Sequence, residues 1–334
     1  MTSTSKYAQY SFGDPEWDKI CATIFANRPS DAPINVEHFR RQMSVNVVED
    51  LKKSLPWIET GLSITDHKVP VDGAEITVRS YIPDVDSADT FPLMIWIHGG
   101  AWIAGDLGLD DSDLRILCTS LKISIASVDY RLAPEYKFPT PIDDSLVGFK
   151  WAIANAGLLR ADLGKGVIVA GSSAGGNLAA QVALHAREDP LYSKTISGQL
   201  LQMPFLALPA GYPDKYKDDL RSDEDLADMG LLVKSFQTRT REMAGLDPTS
   251  PRLSPLLVPS LTGLPRAYIQ ICGRDPLRDE GILYAKLLQD AGVEVRSEIY
   301  KGCPHAFTHV NPNTEAARKW RRDAEEGIRW LLGL

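Results

Sequence analysis

The stretch "VIVAGSSAGGN", Val167 to Asn177, joins a β-branched apolar run to a segment with helical spacing through two adjacent serines flanked by glycines. Gly171-Ser172-Ser173-Ala174-Gly175 fits the pattern G-x-S-x-G in the strand, turn, helix context that the pattern requires. A turn that reverses within two residues brings strand and helix backbones close together. Glycines there remove Cβ clashes, and the central serine takes a strained backbone position. This geometry selects Ser173 as the nucleophile and leaves Ser172 as a small neighbour. It also sets Ser173 at a helix N-terminus, where amide N–H groups and the helix dipole favour a developing negative charge.

Outward from this turn, short apolar strands alternate with amphipathic helices. Strands are predicted at 93–97, 123–128, 166–171, 198–205, 266–273 and 293–302, and helices at 110–121, 141–156, 174–187, 276–291 and 314–332. Helices of this length between strands imply βαβ crossovers and a mainly parallel sheet covered on both faces. Ahead of them, "DHKVPV" and "AEITVRSYIP" read as an antiparallel hairpin about the turn Asp72-Gly73. Residues 1–60 have helical spacing, closing at Pro29 and Pro56, with no strand signal. The Asp- and Pro-rich stretch 207–264 interrupts the alternation and reads as a lid. The expected organisation is therefore a helical cap segment at 1–60, a catalytic domain at 61–206 and 265–334, and a cap or lid insertion at 207–264.

A nucleophilic serine needs a base, and the sequence holds six histidines. His185 shares a helix with Ser173, His38 and His67 lie in outlying segments, and His98 belongs to a glycine motif. His305, in "YKGCPHAF", follows the last predicted strand at its carboxyl end, where active sites of parallel sheets form. His309 is a weaker competitor, and the H-x3-H pair lacks a third ligand for zinc. The orienting carboxylate is expected from Asp275, at another strand's carboxyl end, since Asp279 and Glu280 fall a turn into the next helix. Asp275 also reads as that helix's N-cap, with Pro276 at the first helical position. The order Ser173, Asp275, His305 follows the Ser…Asp…His order of α/β-hydrolases. In "IWIHGGAWIAG", Gly99 and Gly100 directly after a strand supply close-approaching backbone N–H donors for an oxyanion, joined by the N–H of Ala174. Trp102, Phe205 and Leu206 flank this site and read either as substrate contacts or as core. "GLLRADLGKG" has the wrong spacing for a P-loop, and no HExxH or GxGxxG occurs, so neither metal nor nucleotide cofactor is implied.

The set "HGGAW", "DYRLAPEYKFPTPIDD", "GSSAGGN", "DPLRDEG" and "PHAF" resembles the hormone-sensitive-lipase-like family of α/β-hydrolases, from about Asp66 to the C-terminus. The resemblance implies an α/β-hydrolase fold with about eight mostly parallel strands, helices on both faces and a helical cap. It assigns the oxyanion hole to Gly99, Gly100 and Ala174, and the triad to Ser173, Asp275 and His305. "DYRLAPE", around Arg131 and Glu135, is a family hallmark read as an ion pair and proline-fixed loop supporting the site. Two positions depart from the family pattern: Ala101 and Trp102 stand where HGGG continues, and Ser172 stands where many members carry Asp. "HGGAW" and "GCPHAF" resemble fungal members that process acylated or polyketide metabolites.

Composition agrees with such a protein. The 334 residues are 44% hydrophobic and 24% charged, with a mean hydropathy of -0.16, as in an ordinary globular enzyme. A net charge of -8 offers no basic footprint for nucleic acid. No secretory signal or membrane-length apolar run is seen, and Cys21, Cys118, Cys272 and Cys303 are widely spaced, so a cytoplasmic protein is expected. The expected activity is serine carboxylic-ester hydrolysis through an acyl-enzyme on a small or medium acyl ester. Acyl transfer or lactone chemistry with the same residues is the first alternative, and a non-catalytic small-ligand receptor, which would have a broken triad, is the second. The expected partner is a small-molecule ester, with no nucleic acid and no membrane span, and a homodimer is the macromolecular association left open.

Overall fold

The structure, a computed structural model, describes residues 5–26, 34–85, 88–228 and 232–334; the expected helix end at Pro29 lies outside them. The N-terminal part forms α1 (Pro15–Ala26), α2 (Val36–Arg41) and α3 (Val48–Ser54). A π-helical turn, Gln42–Val47, links α2 and α3 into one winding run. The hairpin follows as β1 (Leu62–Val71) and β2 (Ala74–Pro83). Then come β3 (Leu93–Ile97), α4 (Asp111–Leu121), β4 (Ser124–Asp129), α5 (Thr140–Ala154), β5 (Val167–Ser172), α6 (Ala174–Glu188) and β6 (Gly198–Gln202). Beyond α7 (Ser222–Asp225) and α8 (Lys234–Ala244), the chain closes with β7 (Arg266–Arg274), α9 (Arg278–Asp290), β8 (Val295–Pro304), α10 (Phe307–Val310) and α11 (Glu315–Leu332).

The eight strands form one sheet in the order β1-β2-β4-β3-β5-β6-β7-β8. The β1/β2 and β2/β4 pairings are antiparallel and the other five parallel, so β2 alone among these strands opposes the rest. All five residues of β3 are buried, as expected of a strand packed on both faces. Its side chains alternate between two cores: Met94 and Trp96 join Leu114, Leu117 and Ile328 of α4 and α11, whereas Ile95 and Ile97 join Phe149 of α5 and Leu178 of α6.

β6 is shorter than its apolar run because Met203 turns left-handed at φ 39° and leads the chain out over the sheet's carboxyl edge. α9 starts two residues later than expected. Asp275 does not cap it; instead Asp275 Oδ1 accepts from Leu277 N–H at 2.9 Å, closing a turn before the helix. Among the described residues, 207–264 contain no strand, and no helix is long and apolar enough to cross a membrane.

Candidate active site

β5 delivers Ser173 to the carboxyl edge of the sheet and α6 leaves immediately behind it. Ser173 adopts φ 55°, ψ -116°, a conformation that costs about 1–3 kcal/mol and survives only where its surroundings enforce it. The enforcement is steric: a Cβ on Gly171 or Gly175 would strike the Ile97 carbonyl oxygen, so strand and helix close on each other through bare backbone. Ser173 N–H donates to Gln202 O at 2.8 Å, tying the turn to β6.

His305 lies beyond β8, and Asp275 beyond β7. Ser173 Oγ is 2.8 Å from His305 Nε2, and His305 Nδ1 is 2.6 Å from Asp275 Oδ2. With Asp275 accepting the Nδ1 proton, Nε2 is left free to take the serine proton. Asp275 is 1% exposed and His305 4%, so both act away from bulk water. His309 points elsewhere, to Asp110 Oδ1 at 3.2 Å.

Gly99 lies against the serine turn, since a Cβ there would be 3.0 Å from both Ser172 O and Ser172 Oγ. Gly100 follows at φ 119°, and Ala101 and Trp102 then continue left-handed at φ 55° and 60°. Two adjacent non-glycine residues in this region make the loop strained. His98 braces it from below, stacked on Tyr130 with ring centroids 4.3 Å apart and its Nδ1 2.8 Å from Gly99 O.

Alongside this geometry, residues 94–309 match the family model described as alpha/beta hydrolase fold. The chain belongs to the α/β-hydrolase fold family. Among curated relatives it is 36% identical over 270 residues to an arylesterase of Saccharolobus solfataricus, covering 80% of this chain and 84% of that one. It is 36% identical over 262 residues to the carboxylic ester hydrolase LipN of Mycobacterium tuberculosis, covering 77% and 68%. The crystal structure of vibralactone cyclase superposes with a TM-score of 0.91 at 40% identity, covering 97% of this chain and 96% of that one. These relatives and the shared motifs set this α/β-hydrolase in the hormone-sensitive-lipase-like branch.

Above Ser173 and His305 this α/β-hydrolase has a half-open cavity of about 880 Å³. Its floor includes Gly99, Gly100, Ala101, Ser172 and Met203; Phe39, Met43 and Val47 line it from the N-terminal run, and Leu232 and Phe236 from the insertion. Trp102, Phe205 and Leu206 do not line it. They sit in the core, where Trp102 and Phe205 meet edge to face at 5.1 Å, because the left-handed turn at Trp102 sends its indole inward. Phe39, Met43 and Val47 recur at a spacing of four in "HFRRQMSVNV", a signal available in the sequence but stretched by the π-helical turn.

The hallmark ions pair differently from a simple local bridge. Arg131 grips Asp144 with Nε and Nη2, each at 2.8 Å, whereas Glu135 reaches Arg40 of α2. The acids after Asp275 serve the insertion and the N-terminus. Asp279 Oδ2 accepts from Ser5 Oγ, Arg221 N–H and Ser222 N–H, and Glu280 accepts from Leu206 N–H (2.6 Å), Ala207 N–H (3.0 Å) and Tyr212 Oη (2.6 Å). Burial pushes the Glu280 carboxyl up to about 8, against the lowering effect of these donors.

Proposed function

We propose that this α/β-hydrolase is a serine carboxylic-ester hydrolase in which Ser173, His305 and Asp275 form the triad and the N–H groups of Gly99, Gly100 and Ala174 bind the oxyanion. The observation that carries this reading is the continuous hydrogen-bond chain from Ser173 Oγ through His305 to buried Asp275, opening into the 880 Å³ cavity. His305 Nε2 takes the Ser173 proton as Oγ attacks the ester carbonyl. The carbonyl oxygen becomes an oxyanion facing the loop amides, and the imidazolium, steadied by Asp275, gives its proton to the departing alcohol. Water then repeats the cycle on the acyl-enzyme. Residues 1–60 and 207–264 serve as the cap in this reading, supported by the edge-to-face packing of Phe39 on Phe236, ring centroids 5.2 Å apart, beside the cavity. The substrate is a small or medium acyl ester, and the place of action the cytoplasm, a reading supported by four buried, unpaired cysteines.

A second reading, lactone formation, draws on the likeness to vibralactone cyclase. There a hydroxyl of the bound acyl group replaces water as the acceptor. Product analysis on hydroxyacyl esters separates the two, because hydrolysis yields the free hydroxy acid and cyclisation the lactone. The deciding experiment for the shared chemistry is Ser173→Ala beside Ser172→Ala. The first should lower turnover of p-nitrophenyl acetate by about 10⁴-fold or more and end labelling by a fluorophosphonate probe, while the second keeps both. The opposite pattern sinks the assignment.

A further inference from the structure

The triad accounts for nucleophile, base and acid, but not for what holds the Gly99–Ile103 loop in its strained course. Within the loop, Ile103 and Ala104 N–H donate to Gly100 O at 3.1 and 3.0 Å, and Ala133 N–H donates to Trp102 O at 2.9 Å. From outside, Arg40 reaches the same two strands of chain. Its Nε donates to Ile103 O at 2.8 Å and its Nη2 to Ala133 O at 2.7 Å. Nη1 and Nη2 also meet the two Glu135 oxygens at 3.0 and 2.6 Å, which fixes the plane of the guanidinium. The preceding residue, Phe39, lines the cavity and packs against Phe236 of α8. Neighbouring side chains of α2 therefore address the roof of the cavity and the back of the oxyanion loop.

We infer that Arg40 is a positioning residue: it holds the Gly99–Ile103 loop in its strained, donor-presenting form and ties it to the α2 roof. The inference rests on the assignment of Ser173 and of the Gly99 and Gly100 amides made above. Without the guanidinium, Ala101 and Trp102 lose an external restraint and the amides move from the place where the oxyanion develops. The ground-state ester makes less use of those amides. The loss therefore falls on the transition state.

The test uses the full chain carrying Arg40→Ala, Arg40→Lys or Glu135→Gln, with p-nitrophenyl acetate as a substrate too small to need the roof. Arg40→Ala should lower kcat about tenfold with KM within about twofold of the parent, and weaken a trifluoromethyl ketone inhibitor by the same factor as kcat. Arg40→Lys, which keeps one charged donor but not the fork, should fall between Arg40→Ala and the parent. Glu135→Gln, which leaves both carbonyl contacts intact, should stay nearest the parent. A folded Arg40→Ala protein with parental kcat overturns the inference, as does a loss carried by KM alone. Should Arg40→Ala not fold, an Arg40→Lys protein with parental kcat and inhibitor affinity overturns it equally. Ser173→Ala is run in parallel: its retention of activity would remove the underlying assignment, whereas its inactivity beside a fully active Arg40→Ala removes this inference alone.

Discussion

Beneath the floor of the cavity, Gly171 and Gly175 lie against the Ile97 carbonyl at the end of β3 with no side chain between them, while the roof hangs from side-chain tethers that cross long stretches of sequence. Ser5 and Arg221 reach Asp279, Leu206 and Tyr212 reach Glu280, and Arg40 reaches Glu135. The contrast is one of tolerance. Backbone against backbone allows no adjustment, so Ser173 is held to a single geometry; carboxylates gripping loops can exchange partners, so the roof can vary while the floor stays.

Four experiments test how far this division of labour goes, beginning with the largest effect. Asp275→Asn keeps the acceptor for Leu277 N–H but no longer fixes the His305 tautomer. Steady-state kinetics should show kcat down roughly 10⁴-fold on acetyl and longer esters alike, with a near-parental melting temperature. A loss that depends on acyl length would place Asp275 with the roof instead of the floor. Gly175→Ala drives a methyl into the Ile97 and His98 carbonyls, so urea unfolding should show about 3 kcal/mol or more of lost stability. Gly176→Ala, whose new carbon would be 3.1 Å from Pro204 Cβ and 3.2 Å from Gly171 O, against 2.0 Å to Ile97 O at Gly175, should cost less; equal costs would break the argument from closeness of backbone contact.

Glu280 tests the tethers through pH. Its native carboxyl titrates near 8 and its ordinary value is 4.5, so between these the native state holds more protons than the unfolded chain. Stability contributed by this group is complete below about pH 4.5 and declines as pH rises towards 8, by at most about 1.4 kcal/mol per pH unit. Denaturation at several pH values should show that decline in the parent and a flatter profile in Glu280→Gln. An unchanged slope would mean that Glu280 does not link the roof to pH. The smallest effect is Phe236→Ala, which should reduce kcat/KM for an octanoyl ester about tenfold and change that for an acetyl ester by less than about twofold. Equal losses on both would erase the distinction between floor and roof.

Legibility in the sequence follows the same line. β3 occupies the predicted 93–97, and the turn between β5 and α6 lies where G-x-S-x-G set it, because both depend on neighbours within a few residues. The meeting of Ser173, His305 and Asp275 could be anticipated from strand ends alone, since a parallel sheet gathers its carboxyl ends on one edge. The roof was not legible in this way. Phe39, Met43 and Val47 do recur at a helical spacing of four, but no local period joins them to Phe236, 197 residues beyond Phe39. Trp102 and Phe205 read by adjacency either as site contacts or as core, and the structure packs them against each other in the core.

The turn that leads into α9, with the first residues of that helix, joins these two regimes. From Asp275 to Glu280 the chain aims the imidazole, then grips the N-terminus, then grips the insertion. It works as a socket: Glu280 receives the amides of Leu206 and Ala207 and the hydroxyl of Tyr212, while Asp275, five residues earlier, holds His305. In this chain the His305 ring and the two segments beyond the sheet are fastened within one run of six residues, Asp275 to Glu280.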